Sequence, residues 1–202
     1  MNVTSIKPEQ NYTWLLNRHY ARRLCTISYA FGIFDNTALI GVITYGMPAS
    51  NSLCEGVCGK ENKKLVIELN RLIIDSNKKN VASMLVSRSL KMLPKPLVVV
   101  SYADTGQGHV GYIYQATNFL FTGTTKERTD MGSASGGHSR HGKASNERVN
   151  RSTKHRYIYI CGNKKQKKQL VKSLKYLIED YPKGESRKYD ASGYVEIQER
   201  LI

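Results

Sequence analysis

Apolar positions recur with two different periods along this chain, and together they lay out a succession of strands and helices. Thr26–Phe34 alternates, with Ile27, Tyr29, Phe31 and Ile33 on one side, which predicts a half-buried strand. The chain turns at Asp35-Asn36 and returns as Ala38–Tyr45, so the pair reads as a β-hairpin. Leu65–Ile74 predicts a further strand and Val81–Met92 an amphipathic helix. Leu97–Val100 is too short for a helix and rich in β-branched residues, so Leu97–Ala103 reads as a buried strand. Ahead of these, Asn11–Arg23 predicts a helix with Trp14, Leu15 and Leu24 as anchors, and Pro48–Lys60 a Gly/Ser/Cys connection. Tyr112–Asn118 predicts a short helix, Phe119–Gly123 and Tyr157–Cys161 strands. Lys164–Glu179 predicts a helix with Leu170, Val171, Leu174 and Leu177 on one face and lysines on the other. Lys126–Lys154 is almost free of apolar residues and is expected not to fold on its own. The fold expected is a single α/β domain over residues 1–182, a central mixed twisted sheet flanked by helices. A basic polar loop is expected at 123–156 and a tail or docking arm at 183–202.

Charge changes the picture most. The net charge is +15 over 202 residues, and residues 123–188 alone carry 17 Lys/Arg against 6 Asp/Glu. A region of that density attracts polyphosphate, because releasing condensed counterions drives association. The alternative is a solvated basic loop. No apolar run reaches the roughly 20 residues of a membrane span, and Met1–Asn11 has no signal-peptide core, so a cytoplasmic protein is expected. Cys25, Cys54, Cys58 and Cys161 form no paired CxxC pattern and read as free thiols rather than a zinc site.

The chemistry concentrates in Ser101-Tyr-Ala-Asp104, Gly106, Gly108-His109, Gly111 and Tyr112–Phe119. A strand end followed by a Gly-rich turn and a helix start holds Asp104 and His109 at a strand mouth, with Tyr114 projecting from the next helix. Unlike titratable groups at the carboxyl end of a strand suggest an active site. The competing reading is a turn with an Asp cap and a packed tyrosine.

The element order resembles the GNAT acyltransferases. Glu68-Leu-Asn-Arg-Leu-Ile-Ile-Asp75 is similar to their central strand, and Tyr114-Gln-Ala-Thr-Asn-Phe119 to the helix whose tyrosine protonates the leaving thiol. The Gly-rich phosphate loop of that fold is replaced here by Ser76-Asn-Lys-Lys-Asn80-Val-Ala-Ser83. A helix N-terminus at Asn80 and Ser83 still offers free N–H groups to an anion.

More narrowly, His19-Tyr20, Glu68-Leu-Asn-Arg-Leu72, Asn80-x-Ala-Ser83, Ser101-Tyr-Ala-Asp104, Gly108–Asn118 and Lys154-His-Arg-Tyr157 resemble the phage Mom family. That resemblance runs from about His19 to about Pro182. It implies a phage- or prophage-encoded transferase, acting in the host cytoplasm, that converts adenine in double-stranded DNA to N6-carbamoylmethyladenine against restriction. It further implies His19, Tyr20, Asp104 and Tyr114 as the catalytic set, also proposed to hold iron, and Arg71 and Ser83, with Asn80, as donor-binding positions. The donor is an acyl or glycyl compound, with acetyl-CoA one candidate. For DNA contact the basic segment offers Arg140, Lys143, Arg148, Arg151, Lys154 and Arg156, together with His109. A homodimer is compatible with all of this. Two other readings stay open: an ordinary acyl-CoA N-acetyltransferase, and a non-catalytic DNA-binding anti-restriction protein.

Overall fold

The computed structural model describes residues 1–133 and 144–184. Strands β1 (Asn2–Ser5), β2 (Tyr29–Asp35), β3 (Ala38–Gly46), β4 (Val66–Ile74), β5 (Leu97–Asp104), β6 (Leu120–Thr124) and β9 (Lys154–Cys161) form one sheet in the order β1-β2-β3-β4-β5-β9-β6. It is the mixed sheet flanked by helices that the sequence predicts. The β4–β5 pair is parallel, and the other pairs of this sheet are antiparallel. Helix α3 (Val81–Met92) makes the crossover between β4 and β5, buries Val81, Leu85, Val86 and Leu90, and covers one face of the sheet. The other face packs Val66, Val98, Val100, Ile158 and Ile160 against α2 (Asn51–Asn62) and α5 (Lys164–Ser173).

The parallel pair matters most for function. β4 and β5 are in register only at Val66–Glu68 against Val98–Val100. Beyond that, β4 stays with β3 to Ile74 and β5 stays with β9 to Asp104, so the two carboxyl ends part. The Ser101 hydroxyl donates to the Leu69 carbonyl at 3.0 Å where the gap opens. Crevices of this kind, outside the carboxyl ends of strands, are where α/β sheets bind ligands.

Several elements differ from expectation. The first helix starts at Glu9 (α1, Glu9–Thr13), widens into a π-turn over Trp14–Arg18, and stops there instead of reaching Arg23. The His19 N–H closes the wide turn on the Trp14 carbonyl at 3.1 Å, and His19 itself is extended. Pro48–Lys60, read as a connection, contains α2, whose first turn is capped where Leu53 N–H donates to Ser50 Oγ at 3.2 Å. Gly59, at φ +81°, breaks that helix, and a glycine accepts this conformation without strain. The polar stretch expected to stay unfolded forms strands β7 (Arg128–Ser133) and β8 (Ala144–Arg151), paired antiparallel from Arg128↔Arg151 onward. Such a ribbon has little to bury, but its backbone groups satisfy one another and its base continues from β6 and into β9. Helix α5 ends at Ser173, not Glu179. From there the chain runs as an arm, with Lys175 N–H on the Val57 carbonyl and Glu179 N–H on the Phe121 carbonyl, each at 3.0 Å, which leaves Leu177 exposed.

Candidate active site

Each functional side chain at the β4–β5 gap is delivered by a local feature of the backbone. The π-turn drops the chain into a tight turn at His19–Arg22, closed by Arg22 N–H on the His19 carbonyl at 2.9 Å. His19 is thereby buried at 8% exposure while its neighbour Tyr20 stays 52% exposed, the two rings stacking at 4.4 Å between centroids. At the end of β5, a 3-10 turn (Thr105–Gln107) and the His109 N–H on the Asp104 carbonyl at 3.1 Å bring His109 back over the gap. There it meets the Tyr20 ring edge-on at 6.3 Å. Helix α4 (Tyr112–Ala116) starts at Gly111, φ +83°, where a Cβ would strike the ring of Tyr157. α4 in turn packs Tyr114 against Phe119 and Tyr157, both at 5.2 Å, and its hydroxyl reaches Ser101.

The electrostatics divide these groups into distinct roles. Burial, reinforced by Arg71, Arg23 and His109, lowers the His19 pKa to about 3, so its imidazole is neutral. The Ala21 N–H donates to His19 Nδ1 at 3.0 Å, so the proton of the neutral ring sits on Nε2. Burial alone would raise the Asp104 carboxyl. The Lys154 ammonium on Oδ2, with the Ser152 hydroxyl and the Gly106 N–H on Oδ1, overcomes burial and holds Asp104 below the usual carboxylate range. Glu68, at the last position where β4 pairs with β5, goes the other way: burial raises it to about 7 against the pull of Arg71, Lys154 and Arg23. Burial also raises Tyr114, to about 12, and raises Tyr20 with help from Asp104. One carboxyl is therefore a fixed anion, a second titrates near neutrality, and Tyr114 is a buried phenol that keeps its proton. Carboxyls and phenols pushed apart in this way mark acid–base assignments.

Residues 1–183 match the Mom protein family. The chain belongs to that family. It is 29% identical to Methylcarbamoylase mom of Escherichia phage Mu, across 85% of this chain and 79% of that protein. Among solved structures it is similar to an N-acetyltransferase from Staphylococcus aureus Mu50, at TM-score 0.48 and 16% identity, over 79% of this chain and 98% of that one. It is also similar to a ribosomal-protein-alanine N-acetyltransferase from Brucella melitensis, at 0.49 and 11%, covering 79% and 99%. A third such structure is the GNAT-like decarboxylase GphF in complex with isobutyryl-CoA, at 0.47 and 11%, covering 80% and 100%.

His19, Tyr20, Asp104 and Tyr114, expected from the Mom resemblance to hold iron, do gather at the gap, but their donor chemistry does not fit a cation. A ligating imidazole needs one bare nitrogen while the other donates its proton outward, and here the outward nitrogen, Nδ1, is an acceptor. Both Asp104 oxygens are engaged, one of them by an ammonium. The guanidinium groups of Arg23 and Arg71, whose charges act on both His19 and Tyr20, repel a cation. Among the described residues no three His, Cys, Asp or Glu side chains come together as a metal-binding group.

The expected donor positions are split. Arg71 lies in the gap beside Arg23, its Nη2 on the Arg23 carbonyl at 3.4 Å. Asn80 and Ser83 sit at the start of α3. Asn80 takes φ +64° and makes no side-chain cap, and the Ser83 hydroxyl donates to the Asn80 carbonyl at 3.1 Å. Of the expected DNA contacts, Arg140 and Lys143 lie outside the described residues. Arg148 is exposed on β8, and Arg151, at the base of the ribbon, lines an open cleft of about 270 Å³ with Glu127, Arg128, Thr129, Asn150 and Ser152. Lys154 is spent on Asp104, and Arg156 is held by Thr122 and lies 3.3 Å over the Tyr176 ring. Sequence reasoning missed Glu68 and Arg23 as site residues. Glu68 is a lone carboxyl inside an apolar strand, and that signal was legible.

Proposed function

We propose that this protein is a phage DNA-modification transferase that converts adenine in double-stranded DNA to N6-carbamoylmethyladenine and so shields the DNA from restriction. The observation that carries this reading is a site of opposed acid–base groups at the β4–β5 gap in a chain that matches the Mom family across that whole region. Adenine N6 is a poor nucleophile, because its lone pair is delocalised into the ring. Glu68, near neutrality and half-buried, takes a proton from N6 as the nitrogen's electron pair forms the new bond to the donor carbon. The bond to the donor's leaving group breaks with its electron pair on that group, and the Tyr114 phenol protonates it. Exchange with solvent returns the Glu68 proton and re-protonates Tyr114. His19 contributes a neutral Nε2–H donor, and Asp104 holds Lys154 in place as a fixed charge. For this displacement to leave a carbamoylmethyl group on N6, the donor carbon is a methylene, as in a glycyl unit, that bears both the leaving group and the carboxamide; attack on the thioester carbon of acetyl-CoA would give N6-acetyladenine instead.

Reaching N6 requires extruding the base from the duplex. Tyr20, half-exposed, and His109, set edge-on to it, form the lip on which an extruded adenine stacks. The β7–β8 ribbon supplies cations to the flanking phosphates through Arg148 and Arg151. Expression in bacteria tests the reading: plasmid DNA should become resistant to restriction enzymes whose sites contain adenine. Plasmid that stays fully cleavable, from cells making folded protein, would overturn it.

A further inference from the structure

Besides Tyr20, two large apolar side chains stand in solvent beside the site: Leu24 at 49% exposure and Met47 at 50%. A single exposed leucine needs no explanation, but a group of exposed apolar side chains at one opening does. The backbone fixes both of them there. Residues 23–28 form a strap on β3 and β4. Arg71 Nη2 donates to the Arg23 carbonyl at 3.4 Å, Asn70 Nδ2 to the Thr26 carbonyl at 2.8 Å, and the Ser28 N–H to the Tyr45 carbonyl at 2.7 Å. Along the strap Arg23, Cys25 and Ile27 are half-buried, whereas Arg22, Leu24, Thr26 and Ser28 are exposed. Met47 follows Gly46, which pairs with Glu68 and on which a Cβ would strike the Thr26 carbonyl. Leu24 and Met47 are thus held close to Thr26, beside the β4 stretch Glu68–Arg71 where the sheet parts. Across the opening, Asp104 is tied to Ser152 and Lys154 at the foot of the ribbon. Cys25 and Ile27 pack into the cluster around Trp14 and Leu15, but Leu24 and Met47 join no buried apolar cluster among the described residues.

We infer that Leu24 and Met47 form an apolar wedge that enters the duplex where the target adenine leaves it. The inference rests on the base extrusion proposed above. Extrusion strips each neighbouring base of one stacking surface, and an apolar side chain put in its place restores contact and hinders the return of the adenine. Leucine and methionine are side chains that proteins insert between base steps, and methionine adapts its shape to the gap. The surroundings suit a polyanion. Arg22 is exposed in the same outward row as Leu24, and the molecule carries a net charge of +15. Tyr20 and His109 then receive the extruded base, while the wedge fills the place it vacated.

Duplexes carrying 2-aminopurine, an adenine analogue that brightens on leaving the stack, test the wedge with the full chain and without a donor. The analogue is placed between every pair of neighbouring bases, so that no sequence context is missed. At saturating protein, wild type should brighten it in at least one context. Leu24→Ala combined with Met47→Ala should lose about half of that signal or more, because part of the unstacking cost goes uncompensated. The melt should hold, since both side chains are exposed, and either single alanine variant serves if the double one melts early. Leu24→Met with Met47→Leu should keep the signal, and Met92→Ala, at the far end of α3, should change nothing. Opposite a mismatched base, where extrusion costs least, the double alanine variant should approach wild type, which a merely structural defect would not do. A double alanine variant as bright as wild type, or a wild type that binds without brightening in every context, overturns the inference. In the first case, a halved molecular mass for the variant would assign the rim to a second copy of this chain. The function proposed above fails separately, if wild type brightens the analogue yet leaves no modified deoxyadenosine in cells.

Discussion

Glu68 and Tyr114 separate catalysis from packing most cleanly. Tyr114→Phe keeps the ring against Phe119 and Tyr157 and removes only the hydroxyl at Ser101, so the melt should hardly move while modification falls by about 100-fold or more. Wild-type activity should rise as pH climbs through about 7, and Glu68→Gln should remove that rise. The same group sets a stability trend. Its folded pKa lies above its unfolded value, so the stability it lends is complete below the unfolded pKa and is lost as pH rises through about 7. Wild-type melting temperature should therefore fall more than that of Glu68→Gln across that window, and parallel curves would show the carboxyl to be solvated. Asp104→Asn behaves differently. It leaves Lys154 without its partner and should cost about 1–3 kcal/mol of stability as well as activity, measured by denaturant unfolding. Residues of the Ser101–Phe119 run were legible because several unlike functional groups shared one strand mouth. Arg23 was hidden, because its importance comes from contact with Arg71 across 48 positions of sequence.

At the scale of elements, periodicity located what is amphipathic and failed where polarity is uniform. Helix α3 spans the residues its apolar period predicts, and the β2–β3 hairpin follows its alternation and turn. Helix α2 was obscured by Gly56 and Gly59, which dilute a pattern that still buries Cys54, Val57 and Cys58. The π-turn that positions His19 leaves no trace in hydrophobic spacing, since it differs from an α-helix by one residue in the hydrogen-bond ladder. The β7–β8 ribbon has no apolar face to announce it, yet a two-stranded ribbon is one of the shapes that fit the major groove. If this ribbon grips phosphates, Arg148→Ala should lower the slope of log affinity against log salt by roughly 0.9 and leave sequence preference intact. Filter binding across a salt series checks this, and an unchanged slope would mark Arg148 as merely solvated.

For the whole molecule, one sheet that parts between β4 and β5 provides the site, and a net charge of +15 biases the molecule toward a polyanion. The chemistry derived from these residues runs through proton transfer, so dialysis against an iron chelator should leave activity within error of untreated protein. Activity lost to the chelator and restored by ferrous iron would mean that His19 turns over to free a nitrogen. The central claim, a Mom-family transferase acting on adenine through Tyr114 and Glu68, is tested most directly by mass spectrometry of nucleosides. DNA from cells expressing wild type, Tyr114→Phe or Glu68→Gln is digested and scanned for deoxyadenosine bearing a carbamoylmethyl group. Wild type should yield it and both variants, folded and equally abundant, should yield almost none. Equal modification in all three, or unmodified adenine in DNA from the wild-type cells, would contradict the claim.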